Sequence, residues 1–175
     1  MGIISINHGT SKAVFSTDMV YRYELHRNWD VGFGDDRGKL NFIMLNPSTA
    51  DERVNDPTVE RCERRAKRMG FSGLVVTNLF ALRSTDPKGL YKHPEPIGGS
   101  LTDDYIGINA YESSMIILGW GAHGQYESRA KDVLALLAET PDITRKLHVL
   151  DRTKAGFPKH PLYISNDTEP YLLFA

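Results

Sequence analysis

The sequence predicts an α/β protein: a three-layer α/β/α domain with a largely parallel central sheet of about four strands, preceded by an N-terminal β extension. Three observations predict it. From residue 40 onward, short apolar runs alternate with helix-length segments. Those runs (40–45, 73–79, 115–118 and 147–150) are nearly continuous in apolar residues, as strands buried on both faces are. Before residue 40, residues 12–17 and 20–29 are rich in aromatic and β-branched side chains, the second segment with the two-residue period of a strand. With 175 residues and no repeats or linkers, the chain reads as a single domain, with 1–39 the extension and 40–175 the core.

Strands are expected over 12–17 and 20–29, where Tyr21, Tyr23 and Leu25 alternate with Arg22, Glu24 and His26. "VGFGDDRGK" (31–39) reads as a turn. After the strand at 40–45, Asp56 followed by Pro57 marks a helix start. Val59, Cys62, Ala66 and Met69 form its apolar stripe, and Gly70 ends it. Residues 73–79 form the next strand, and "SLTDD" opens a helix over 100–113. The strand 115–118 ends in Gly119-Trp120-Gly121, a helix covers 126–139, and 147–150 is the last core strand.

Composition narrows the function classes. An apolar fraction of 41% and a charged fraction of 25% fit a soluble globular protein, and a net charge of −1 argues against a strongly basic nucleic-acid coat. The one cysteine, Cys62, excludes an intrachain disulfide and a Cys-rich zinc site, and the six histidines lack metal-ligand spacing. No cofactor or metal is expected. Without a membrane-length apolar run or a signal-peptide pattern, the expected compartment is the cytoplasm. The phosphate-cradling, HExxH and G-x-S-x-G motifs do not occur.

In open parallel sheets ligands bind at the carboxyl ends of the strands. Asn46-Pro47-Ser48 ends the first core strand, Asn78 stands near the end of the second, His123 follows the third, and His160 follows the fourth. Each has an ordinary reading as a turn former, cap or loop residue, but together they fall on one sheet edge. Separately, Arg61, Arg64, Arg65, Lys67 and Arg68 lie on the polar surface of helix 57–69. That surface is either a solvated face partly neutralised by Glu60 and Glu63 or a phosphate-contacting one.

These landmarks, taken in order over roughly residues 40 to 165, resemble the uracil-DNA glycosylase superfamily, in its Asn-Pro version. "MLNPS" (44–48) looks like its first motif. "VVTNLFALR" (75–83) is similar to the strand whose Asn reads the pyrimidine edge, "ILGWGAHGQ" (117–125) to a Trp-Gly-x-His-x-Gln signature, and "KHPLYIS" (159–165) to the final His-Pro motif. The whole chain also looks like a bacterial and phage family marked by "YRYELHRNWD" and "LNPSTAD". The resemblance implies hydrolysis of the N-glycosidic bond of a uracil-related or modified pyrimidine in DNA. Asn46 and His160 would be catalytic, with Asp51 as an acid/base helper. Asn78, Pro47, Ser48, Phe80 and His123 would hold the base. Arg61, Arg64, Arg65, Arg68, Arg83 and Lys159 would contact DNA, and Leu162 or Tyr163 would wedge the duplex as the base flips out.

The sequence departs from that pattern in three places. Asn46 stands where the fastest members carry Asp, Ser48 and Thr49 stand where classical members carry a bulky aromatic, and Leu162 replaces an expected Ser. Three functions stay open at this level: a glycosylase, a non-catalytic nucleic-acid or nucleotide binding module, and a hydrolase or transferase acting on a small nucleoside-like molecule.

Overall fold

Leu40, Phe42 and Met44 bury one face of β4 (Lys39–Met44), while Ile43 is buried on the other. A strand apolar on both faces needs cover on both. In the computed structural model, which describes residues 2–31 and 36–174, it has that cover. The helix α1 (Pro57–Arg68) lays Val59, Cys62 and Ala66 against Leu40, Phe42 and Met44. On the opposite face, α2 (Leu101–Glu112) contributes Ile106 and Ala110, and α3 (Arg129–Ala138) contributes Val133 and Leu137. Residues 32–35 of the expected 31–39 turn lie outside the described residues.

The sheet corrects the predicted fold class. It has eight strands in the order β1-β2-β3-β5-β4-β6-β7-β8, and it is mixed. Antiparallel pairs outnumber parallel ones. Strands β1 (Ile3–His8), β2 (Ser11–Ser16) and β3 (Arg22–Asn28) pair antiparallel in succession, and β3 then pairs antiparallel with β5 (Gly73–Asn78). Parallel pairing is confined to β5 with β4, β4 with β6 (Met115–Gly119), and β6 with β7 (Leu147–Val149). A short antiparallel strand, β8 (Tyr171–Leu172), closes the far edge. The cause is connection length. Residues joined by tight turns pair only antiparallel, so the N-terminal hairpins extend the sheet itself, and a description as a largely parallel sheet of about four strands fails.

A second correction concerns the strand expected to be half exposed. Arg22, Glu24 and His26 are all buried, at 2%, 4% and 7% exposure. The register between β2 and β3 jumps: Val14 faces Glu24, but the next residue, Phe15, faces Arg22, leaving Tyr23 as the extra residue of a β-bulge. The bulge reverses the alternation. Glu24 stays on the α2 face, where Asn109 Nδ2 donates to its Oε2 at 2.7 Å, while Arg22 turns to the α1 face with Phe15.

Two boundaries also follow from local chemistry. The Asp56 Oδ1 accepts the N–H groups of Thr58 and Val59, each at 2.9 Å, so α1 starts where expected. The third helix starts at Arg129, not at 126, because Glu127 and Ser128 adopt left-handed φ of 51° and 61° that no α-helix continues through. Among the described residues, no helix is long and apolar enough to cross a membrane.

Candidate functional site

β4, β5 and β6 run parallel, so their carboxyl ends open at one edge of the sheet. A cavity of about 680 Å³ lies there, within the range of small-ligand sites. Its walls come from segments far apart in sequence: Met44 to Asn46 after β4, Asp56 to Val59 at the start of α1, Ser84 and Thr85 beyond β5, Trp120 to His123 beyond β6, and Lys159 and His160 beyond β7. Arg22 reaches it from β3.

Of the residues expected to act in catalysis, Asn46 and His160 line this cavity, and Asp51 does not. The Asn46 amide is a tie. Its Nδ2 donates to the carbonyls of Pro47, Leu82 and Ser84 at 3.0, 3.4 and 2.8 Å. Its Oδ1 accepts nothing from the protein among the described residues, and that atom is the one left for a ligand or water. Asp51 folds onto its own turn, its Oδ1 accepting the N–H groups of Arg53 and Val54 at 2.8 Å each. The carboxylate in the cavity wall is that of Asp56. Its Oδ1 caps α1, and its Oδ2 takes no hydrogen bond from the protein among the described residues.

His160 is held by packing and by one hydrogen bond. Pro161 seats against Gly119 at the end of β6, where a Cβ would lie 2.9 Å from Pro161 Cδ, so only glycine lets the loop close in. The Leu162 N–H points at His160 Nδ1 at 3.4 Å, which leaves the neutral ring's proton on Nε2. Burial lowers the imidazole's pKa, and the Asp56 carboxylate works against that shift. His123, on the other wall, pairs its Nδ1 with the Tyr91 hydroxyl. Gly124 leaves room for Trp120, since a Cβ there would sit 2.3 Å from the indole Cδ1.

The expected base-holding residues divide. Ser48 and His123 line the cavity. Pro47 is buried, and its carbonyl receives the Ser84 N–H at 2.8 Å. Phe80 is a core residue at 0% exposure, 5.9 Å from the Tyr126 ring, and does not reach the lining. Asn78 pairs in register with Met44 and, by strand alternation, shares its face, but its side chain is buried just outside the lining. Among the described residues neither Nδ2 nor Oδ1 of Asn78 has a hydrogen-bond partner, and the same holds for Arg22 Nε and Trp120 Nε1. Buried polar groups in folded proteins are seldom left so.

The expected DNA contacts are largely engaged within the chain. Arg65 is buried at 0% and donates to the carbonyls of Ser165 (2.5 Å) and Thr168, while Arg61 donates to Ile164 O at 2.8 Å. Arg64 pairs with Glu60 and Arg68 with Glu169, each at 2.6 Å. Arg83 lies 5.0 Å over the Phe15 ring and bonds Met19 O, and Lys159 pairs with Asp151 at 3.0 Å. Leu162 and Tyr163 do flank the cavity, with Tyr163 73% exposed. Among the described residues no group of His, Cys, Asp and Glu is placed to hold a metal ion.

Sequence reasoning missed Arg22, which the bulge redirects, and gave Asp56 only its capping function. The first left no local signal, whereas the second stood in plain view as an acid at a helix start near the LNPST loop.

Fold and site together define a mixed-sheet α/β protein with a cavity at the carboxyl ends of its parallel strands, mostly apolar in lining and carrying a few convergent polar groups. The family model described as "Protein of unknown function (DUF1643)" matches residues 22–162, and the chain belongs to that family. The matched span holds every cavity-lining residue named above except Tyr163. No curated protein and no solved structure gives a match.

Proposed function

We propose that the protein hydrolyses the N-glycosidic bond of a uracil-related or modified pyrimidine nucleotide. The observation that carries this reading is that Asn46, Asp56, His123 and His160, from four separate segments, line one cavity of nucleoside size. The departing base develops negative charge on its oxygens, and the His160 Nε2–H is the donor placed to meet it. The sugar left behind develops positive charge, which the Asp56 carboxylate stabilises while its Oδ2 and Asn46 Oδ1 orient the attacking water. That water gives its hydroxyl to the sugar carbon. Its proton passes through the carboxylate to the released base. The departure at Asn46 is thereby offset: the carboxylate is supplied by the residue that caps α1.

DNA carrying the base is the first substrate to test. A free nucleotide or nucleoside is the second, favoured by one observation: Arg61, Arg64, Arg65 and Arg68 already hold internal partners, so α1 offers little unpaired charge to a duplex. A panel of oligonucleotides bearing uracil, hydroxymethyluracil or mismatched thymine, run beside the matching free nucleosides and nucleotides, decides between them. Base release from the oligonucleotides, lost in His160→Ala, supports the DNA substrate, and release from the free compounds alone supports the small one. A folded protein silent on both sets would overturn the reading, and binding without product would leave a non-catalytic binding module.

A further inference from the structure

Arg22 carries a buried charge that forms no ion pair among the described residues. Its side chain lines the cavity yet is 2% exposed. Nη1 donates to the Ala50 carbonyl at 2.8 Å, Nε has no partner, and Arg22 makes no ion pair among the described residues. Asp56 and Asp51 act on it favourably from longer range, whereas Arg83 and Arg27 act against it. Burial is the largest influence and brings its pKa down to about 10, so the guanidinium stays protonated at neutral pH. A buried cation without a counterion is costly. Arg65 is buried in the same way but against backbone carbonyls away from the cavity, whereas Arg22 stands in the cavity wall, where a ligand can supply the anion.

The backbone reinforces this. Only the Tyr23 bulge brings Arg22 to the α1 face, since regular alternation would have left it on the α2 face with Glu24. Ser48, Thr49, Thr58 and Thr85 share the lining and add hydroxyl donors. The N-terminus of α1 does not compete for the anion, because its first free N–H groups already go to Asp56.

We propose that Arg22 is the anion-binding arm of the cavity and takes a phosphate of the nucleotide whose base lies between Asn46 and His160. Its planar fork suits a phosphate held by two oxygens. The base placement rests on the functional reading above, but the anion subsite does not depend on which bond is cut. The phosphate comes either from a free mononucleotide or from the backbone of a strand.

Thermal melting of the whole protein tests this, at constant ionic strength in chloride, against inorganic phosphate, 2′-deoxyuridine, its 5′-monophosphate and a short uracil-bearing single strand. Phosphate is expected to raise Tm saturably, and the monophosphate to bind at least about tenfold tighter than the nucleoside. A monophosphate stronger than the strand marks a free nucleotide, and the reverse order marks a backbone phosphate. Arg22→Met is expected to fold and to lose the phosphate response. Should that variant fail to fold, Arg22→Lys serves: about tenfold weaker phosphate binding supports the subsite, and unchanged binding overturns it. A wild type indifferent to phosphate, or an Arg22→Met that still responds, also overturns it. Phosphate binding with no base release in any assay would sink the hydrolase reading alone.

Discussion

The Asn46 side-chain amide donates to the Ser84 carbonyl at 2.8 Å, while the Ser84 N–H donates to the Pro47 carbonyl at 2.8 Å. This reciprocal pair binds the loop after β4 to the segment after β5 and so closes one wall of the cavity.

Asn46→Asp is therefore expected to harm the protein instead of improving it. The substitution replaces a donor facing three carbonyls with an acceptor, at a cost of about 2–4 kcal/mol. For a chain of this size that is a fall in Tm of roughly 5–15 °C. Thermal unfolding checks it. A variant that melts like wild type would show the tie to be unimportant.

Asp56 separates stability from chemistry. Asn is as good an N-cap as Asp, so Asp56→Asn should stay within about 0.5 kcal/mol of wild type while losing at least about a hundredfold in turnover. Asp56→Ala should lose the same activity and about 1 kcal/mol of stability as well. Denaturant titration paired with base-release kinetics measures both, and full activity in Asp56→Asn would remove the carboxylate from the mechanism.

The arginines of α1 differ sharply in consequence. Arg65→Ala leaves the carbonyls of Ser165 and Thr168 without their donor and should cost about 3 kcal/mol, with faster proteolysis in the segment after residue 164. Arg64→Ala removes only an exposed pair with Glu60 and should cost no more than about 0.5 kcal/mol. Equal effects in urea unfolding would contradict this assignment.

The Glu24 cluster predicts an acid limit to stability. Burial alone would raise this carboxyl, but His26 at 3.2 Å, Lys12 at 2.7 Å and Asn109 at 2.7 Å together outweigh it and hold the pKa down to about 2, from 4.5 in the unfolded chain. The folded value lies below the unfolded one. The contribution is thus complete above pH 4.5 and fades as pH falls toward 2. It is on the order of 2 kcal/mol after allowance for solvent screening. Glu24→Gln should flatten that part of the stability–pH curve, and an unchanged acid slope would count against the cluster.

Much of the local structure was legible from short-range pattern. The four apolar strands, the start of α1 at Asp56-Pro57 and the placing of Asn46, His123 and His160 at one sheet edge all follow from periodicity, capping and the geometry of parallel strands. Each depends only on neighbours a few residues away.

Tertiary structure decided the rest. Whether the N-terminal strands stand apart or enlarge the sheet depends on β3 meeting β5, as where Leu25 pairs with Val76, whose 51-residue separation leaves no local trace. The alternation of Arg22, Glu24 and His26 predicted three outward side chains. One inserted residue at the bulge and the cover of α2 buried all three, and sent Arg22 alone toward the cavity. Likewise, Asp51 and Asp56 are similar in sequence context, but Asp51 closes its own turn while α1 carries Asp56 into the wall. The sequence by itself determined which residues form strands, helices and caps, because those choices are made by local backbone and side-chain physics. Register, pairing partner and the direction of a single buried charge were left to the assembled fold, because they depend on contacts between segments that no local pattern encodes.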